Sequence, residues 1–215
     1  MISMHNLKDV AEYIDIDIDY VLLKDTLEIC FNKYNSSKFS PTSTKMQGYN
    51  LEDWKTGKDT IFNDILESIL VEHRKVHPDI KKRNTGFNVS HDADAHLFIH
   101  NDLDPYTEHP NHYNMIIPVH GLAKVIFYET RDEELYVPSR DIHNEIFHKK
   151  MKDETLKVKM GEIIIDKPVL LNTKFMHEVV ILEAPRSSWV TRWINIPEEY
   201  DFQIIKDRIE RILKS

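Results

Sequence analysis

Residues 95–102 read Ala95-His96-Leu97-Phe98-Ile99-His100-Asn101-Asp102. Side-chain character alternates along this run, and a period of two is the mark of a strand with two unlike faces. His96, Phe98, His100 and Asp102 fall on one face, and Leu97 and Ile99 on the other. One face is apolar; the other ends in polar groups. That pattern suits a sheet that lines a polar cavity on its inside and is covered on its outside.

The text on either side extends the pattern. Runs rich in Val, Ile, Phe and Tyr predict strands at 85–90, 95–101, 113–119, 122–129, 155–160, 162–166, 169–174, 177–183 and 187–195. Gly121, Gly161, Asp166-Lys167-Pro168 and Ala184-Pro185 are the turn signals between them. Residues 130–154 read as a charged insertion, and Arg131 to Glu134 within it as a solvated turn. Upstream the period changes. Leu23, Leu27, Cys30 and Tyr34 recur at helical steps, and a second helix is expected from Asp59, with Phe62, Ile65, Leu66, Ile69 and Leu70 on one face. A polar loop containing Pro41, Gly48 and Trp54 joins the two. A last helix near 200–214 presents Phe202, Ile205, Ile209, Ile212 and Leu213 on one side.

Two helices, eight or nine short strands and a final helix are not an alternating βαβ text. They predict a mainly β chain, an antiparallel sandwich or jelly-roll with helices on one outer face. The division expected is a helical region at 1–82, a β core at 83–197 and a helix at 198–215, in one integrated domain.

The chain has 215 residues, 41% of them apolar and 30% charged, with a formal net charge of −8. An acidic chain with no basic arm disfavours nucleic acid and anionic membrane faces as partners. No run approaches a membrane span, and no leader pattern opens the sequence, so a cytoplasmic setting is expected. Cys30 is the sole cysteine and is expected in helix packing. The oligomeric state is not readable.

His100 and Asp102 form an H-x-D pair on one strand face, roughly 7 Å apart along the strand. Both can reach one cation. The third ligand is expected to be His177, at the start of a later strand. Two imidazoles and a carboxylate on one side of a metal suit Fe(II), Mn(II) or Zn(II), and form the facial triad of non-haem Fe(II) oxygenases.

Nine residues past His177 stands Arg186, in Arg186-Ser187-Ser188-Trp189-Val190-Thr191-Arg192. On a strand, Arg186, Ser188, Val190 and Arg192 share a face. A buried arginine needs an anionic partner, and no acid stands nearby on that face. A dicarboxylate co-substrate would supply it, with Ser188 adding a hydroxyl bond.

In these residues the sequence resembles the Fe(II)- and 2-oxoglutarate-dependent oxygenases, over roughly residues 83–197. The family pattern H-x-D…H…R matches His100, Asp102, His177 and Arg186, and Ser188 stands where many members carry a serine. Arg192 stands six places after Arg186, as a second arginine does in the AlkB-like demethylases. Gly161-Glu162-Ile163-Ile164-Ile165-Asp166 looks like the strand before the distal histidine. His177-Glu178-Val179 looks like the aspartyl/asparaginyl β-hydroxylase and proline hydroxylase branch, although some members of that branch lack the carboxylate that Asp102 offers. The resemblance implies a double-stranded β-helix (a cupin-like jelly-roll) that binds Fe(II), 2-oxoglutarate and O2. In such an enzyme Arg186, Ser188 and Arg192 are the candidates for holding the far carboxylate. The expected reaction is hydroxylation of a C–H bond in a small polar molecule, an amino acid or a protein side chain.

Other polar residues have plainer readings. His91-Asp92-Ala93-Asp94-Ala95-His96 is dense enough for a second metal site, but reads better as a polar turn in which His96 faces the cavity. Asp104 is a weaker candidate ligand than Asp102. His109 and His112 belong to a loop after the metal strand, from which Tyr113 or Asn114 could touch co-substrate or stand behind the ligands. Trp189 and Trp193 fall on the face opposite Arg186 and are expected under the helices. Two other readings compete: a cupin-like metalloenzyme that does not use 2-oxoglutarate, and a non-catalytic binding barrel.

Overall fold

The computed structural model describes residues 7–21, 23–25, 27, 46–50, 81–90, 92–93, 96–102, 111–129, 136–140, 146–151, 153, 155, 157–196 and 199–213. Its strands, in chain order, are β1 (Ala11–Tyr13), β2 (Met46–Asn50), β3 (Lys81–Ser90), β4 (His96–Asn101), β5 (Asn111–Tyr128), β6 (Tyr136–Arg140), β7 (Ile146–Met151), β8 (Lys159–Ile165), β9 (Val169–Asn172) and β10 (Met176–Ile196). A 3-10 turn at Leu7–Asp9 precedes β1, and a helix spans Phe202–Leu213.

The fold is organised by two long strands. β5 has 18 residues and β10 has 21, and they pair antiparallel along most of their lengths. Each serves two sheets. The first half of β5 and the second half of β10 lie between β9 and β3, giving the order β2-β3-β10-β5-β9-β1. Their other halves lie between β4 and β8, giving β6-β7-β4-β10-β5-β8. Two sheets sharing strands that change sheet partway form a jelly-roll, as expected from the sequence.

The change of sheet occurs at Gly121. Its φ is +65°, and a Cβ there would lie 2.5 Å from the carbonyl oxygens of Glu183 and Pro185 and 2.9 Å from Arg186 Cα. A left-handed backbone and close contact with a facing chain both require glycine. Opposite Gly121, the register of β10 shifts repeatedly between Ile181 and Ser188. Such irregularities bend a strand and let it leave one sheet for another.

The core lies between the sheets. Ala11, Ile116, Val169, Leu171 and Val190 of the first sheet meet Val125, Phe127, Ile163 and Ile165 of the second. The outer face of the first sheet is also covered, with Tyr113, Met115, Leu170 and Trp189 all nearly inaccessible. The helix Phe202–Leu213 buries Phe202, Ile205 and Ile209, and the Phe202 ring lies 5.9 Å from that of Tyr113. Lys206 pairs with Glu12 of β1, and Glu210 accepts from the Asp15 amide at 2.9 Å. Trp189 thus packs on a covered face, with its indole N–H on Thr191 Oγ1 at 3.1 Å.

Several expectations change. The first 82 residues are not only helical, because β1 and β2 join the first sheet. β1 is three residues long, and it pairs with β9, all four of whose residues are buried. A strand that short has no readable period. The first expected helix, carrying Leu23 and Leu27, begins at Tyr20 and buries both; Cys30, Tyr34 and the stretch from Asp59 lie outside the described residues. The charged insertion carries β6 and β7, which extend the second sheet beyond β4. Gly161 is no turn. It sits within β8 opposite Phe127, where a Cβ would meet Leu7 at 3.1 Å, so the glycine makes room for Leu7. The strand pairs expected on either side of Gly121 and of Pro185 are continuous strands, bent rather than broken. His112 belongs to β5 and is buried, not in a loop; His109 lies outside the described residues.

Candidate metal and co-substrate site

His100 is the penultimate residue of β4, Asp102 follows that strand, and His177 is the second residue of β10. β4 and β10 are neighbours, and the Cα of His100 is directly opposite that of His177. Directly opposed residues project to the same face. On the other side of β10, His177 is opposite Phe127, whose ring belongs to the core between the sheets. The two histidines therefore face the barrel interior. Their ring centroids are 4.5 Å apart, and Phe127 lies 5.8 Å from His177. His100 Nε2 is 3.4 Å from Asp102 Oδ1. One ligand atom from each of His100, Asp102 and His177 lies within 4.8 Å of the others, and all three residues are buried. Among the described residues no other group of three such side chains could hold a metal.

The surroundings aim these atoms. His177 Nδ1 lies 2.9 Å from the carbonyl of Phe175. A carbonyl can only accept, so Nδ1 carries the proton and Nε2 presents its lone pair to the cavity, an outer contact typical of metal-binding histidine. Phe175 ends the turn that also holds Asp102. The Asp102 amide donates to Thr173 O at 3.0 Å, and Asn101 Nδ2 to Lys174 O at 3.4 Å. Thr173 is tied in turn to His112 O through its own amide at 2.8 Å. One short turn thus positions two candidate ligands that are distant in sequence. Asn114 on β5 donates from Nδ2 to Asp102 Oδ2 at 2.8 Å.

Tyr113 is placed elsewhere. It is adjacent to Asn114 and faces the outer side of the sheet, where its ring meets Phe202 and its hydroxyl donates to Tyr200 O at 3.3 Å. Burial first and the nearby Asp201 second raise its pKa well above the usual tyrosine value. Its position is a packing one on the outer face, not on the interior face that carries Asn114. His96 opens β4 opposite Val180, and Arg192 lies opposite Asn84 and Asn114. The side chains of His96 and Arg192, with His91, Asp94 and Asp104, lie outside the described residues. Asp92 is exposed in a turn.

Arg186 stands on β10 just past the change of sheet, and it is 3% exposed. Among the described residues no carboxylate pairs with it, and desolvation pulls its pKa down to about 10. Ser188, two residues on, is fully buried, and its Oγ has no hydrogen-bond partner. Ser90 on β3 is directly opposite Arg186, and its Oγ is also buried without a partner. Val190, in phase with Arg186 and Ser188, belongs to the core between the sheets, so this face is the interior one. A lone guanidinium and two unsatisfied hydroxyls are costly in such a place. The three groups fit a carboxylate. The sequence singled out Arg186 and Ser188 but not Ser90, because the partner of β3 is fixed only in the folded sheet.

No protein-family model matches the sequence, and no curated protein is similar to it in sequence. Solved structures are similar in fold. The non-heme alpha ketoglutarate dependent carbocyclase SnoK from nogalamycin biosynthesis superposes with a TM-score of 0.55, at 10% identity, over 87% of this chain and 80% of that one. The non-heme alpha ketoglutarate dependent epimerase SnoN, from the same biosynthesis, gives 0.52 at 10% identity, over 88% and 80%. SnoN in complex with Fe3+, alpha ketoglutarate and nogalamycin RO also gives 0.52, at 8% identity. The chain therefore has the jelly-roll fold of SnoK and SnoN, with a His-Asp-His cluster buried inside it.

Proposed function

We propose that this chain is an Fe(II)- and 2-oxoglutarate-dependent oxygenase acting on a C–H bond of a small polar molecule, an amino acid or a peptide side chain. One observation carries the reading: His100, Asp102 and His177 bring three buried ligand atoms within 4.8 Å of one another inside a jelly-roll. Two imidazoles and one carboxylate suit Fe(II) and leave positions for co-substrate and O2. SnoK and SnoN are described as alpha ketoglutarate dependent, and SnoN binds Fe3+ and alpha ketoglutarate, which supports the same pair here.

Bound in this site, iron with 2-oxoglutarate and O2 would supply the oxidising power, and 2-oxoglutarate would leave as succinate and CO2. The chain's residues do the rest. His177 is held through Nδ1 by Phe175, and Asp102 is held at Oδ2 by Asn114 and at its amide by Thr173. Arg186 and Ser188 receive the far carboxylate, with Arg192 as the other candidate cation on that strand. The Phe127 ring beside His177 keeps that side of the site apolar. His96 is proposed as a substrate-side group. Among the described residues no helix is long and apolar enough to cross a membrane.

The test is a titration of 2-oxoglutarate into the anaerobic Fe(II)-loaded protein, read as the weak visible charge-transfer band of the chelate. The band is expected in the native protein and absent in His177→Ala. Iron binding without a band would remove 2-oxoglutarate and leave a cupin-like metalloenzyme. No iron binding would leave a binding barrel.

A further inference from the structure

Ser90 is fully buried and its hydroxyl makes no hydrogen bond. A buried serine usually satisfies itself on a nearby carbonyl, so an unsatisfied one is a cost the fold does not need. Its position gives a reason. Ser90 is directly opposite Arg186, and β3 and β10 stay in regular register from there to Arg192. Opposed Cβ atoms in such a pair are about 4.5–5.5 Å apart. Ser188, the other unsatisfied hydroxyl on this face, follows Arg186 by two residues along β10. On the interior face Arg186 thus has one hydroxyl-bearing residue across the ladder and another two places along the strand. Ser187 Oγ is also buried and unsatisfied, but it is out of phase with Arg186 and belongs to the opposite face.

We propose that Ser90 is a third ligand of the co-substrate's far carboxylate and makes the site selective for a molecule that ends in one. The proposal rests on the co-substrate reading above and adds a residue and a selectivity to it. A carboxylate has two oxygens with about four acceptor directions. The planar fork of Arg186 takes two, and Ser90 and Ser188 can each take one. Both unsatisfied hydroxyls are then satisfied, and Arg186 gains a carboxylate partner. A 2-oxo acid without the far carboxylate leaves Arg186 and both hydroxyls as they are, so the pocket gives it nothing at that end.

The test is isothermal titration of 2-oxoglutarate and of 2-oxobutyrate into the Mn(II)-loaded protein under nitrogen, for the native chain, Ser90→Ala and Arg186→Ala. 2-Oxobutyrate keeps the metal-chelating end and lacks the far carboxylate. Ser90→Ala is expected to weaken 2-oxoglutarate about tenfold, as for loss of one hydrogen bond to a charged group, and to leave 2-oxobutyrate unchanged. A melting curve of the unliganded Ser90→Ala protein at or above the native one checks that the fold is intact. Equal 2-oxoglutarate affinity in Ser90→Ala and native protein, with Arg186→Ala impaired, overturns the role of Ser90 and leaves the co-substrate reading standing. Equal weakening of both acids in Ser90→Ala also overturns it, since the hydroxyl would then act on the metal end or on the fold. If the native protein binds neither acid, the co-substrate reading fails and the role of Ser90 fails with it.

Discussion

Asn114 donates from Nδ2 to Asp102 Oδ2 at 2.8 Å, across a gap of twelve residues and between two different sheets. With Oδ2 engaged, Asp102 presents Oδ1 to His100, whose Nε2 is 3.4 Å away. The amide therefore decides which carboxylate oxygen reaches the cavity. Asn114→Leu keeps the side chain's size and removes the donor. It is expected to weaken Mn(II) or Fe(II) binding about 10- to 100-fold, the usual cost of losing an outer contact to a metal ligand. Titration of metal into the unloaded protein reads it directly, and unchanged affinity would show that Asp102 needs no such guide.

His100→Ala and Asp102→Ala each remove a candidate ligand from the interior without removing strand pairing. Metal-dependent turnover is expected to vanish while the circular dichroism spectrum stays native. Full activity in either variant would remove the triad assignment.

Arg186 gives a prediction with two opposite signs. Its guanidinium pKa is about 10 in the folded chain, below its ordinary value, because of desolvation. The unfolded state then binds more protons between about pH 10 and the ordinary value. Stability from this group rises only across that alkaline window, and at neutral pH the whole burial cost is present. Arg186→Met is expected to raise the melting temperature of the unliganded protein and to abolish its stabilisation by 2-oxoglutarate. Thermal melts with and without 2-oxoglutarate check both. A variant still stabilised by 2-oxoglutarate would move the anchor to Arg192.

Gly121→Ala places a methyl against two carbonyl oxygens and the Arg186 Cα. The left-handed φ alone costs roughly 1–2 kcal/mol, and the contact with a facing backbone adds to it. Urea unfolding should show a loss of at least about 2 kcal/mol, with weaker 2-oxoglutarate binding in whatever protein remains folded. Wild-type behaviour in both would mean that the change of sheet does not depend on this glycine.

Tyr128 donates its hydroxyl to the buried carboxylate of Glu178 on the outer face of the second sheet. Tyr128→Phe leaves that carboxylate without this donor, at a cost of about 1.5–3 kcal/mol. Chemical denaturation checks the loss, and metal affinity should be much less affected, because Glu178 and His177 lie on opposite faces of β10.

What the sequence disclosed follows from what each residue can do. His100, Asp102 and His177 were legible because few plain structural roles call for those types at the ends of apolar strands. Arg186 stood out as a candidate because a buried cation needs an anion, and the fold does bury it. Phase within β5 was not. Tyr113 and Asn114 are neighbours on a strand buried on both faces, and Asn111 to Val119 shows no alternation that says which points inward. Ser90 was hidden for a different reason: its partner is 96 residues away, and register between distant strands is set by packing. β6 and β7 were masked by the charge of the segment that carries them; β6 is the edge strand, and edge strands carry charge to discourage unwanted pairing.

β10 is an inner strand of both sheets and emerges late in synthesis. Until Met176–Ile196 has left the ribosome, β3 can pair only with β2 and β4 only with β7. The nascent chain must carry the β10-facing edges of β3, β4 and β5 unpaired for the time needed to make those 21 residues. Long-range pairing of this kind is slow and exposed to aggregation. The arrangement that places His177 and Arg186 on one continuous strand therefore leaves the newborn chain exposed to aggregation, and His100, Asp102 and His177 come together only once that strand has joined both sheets.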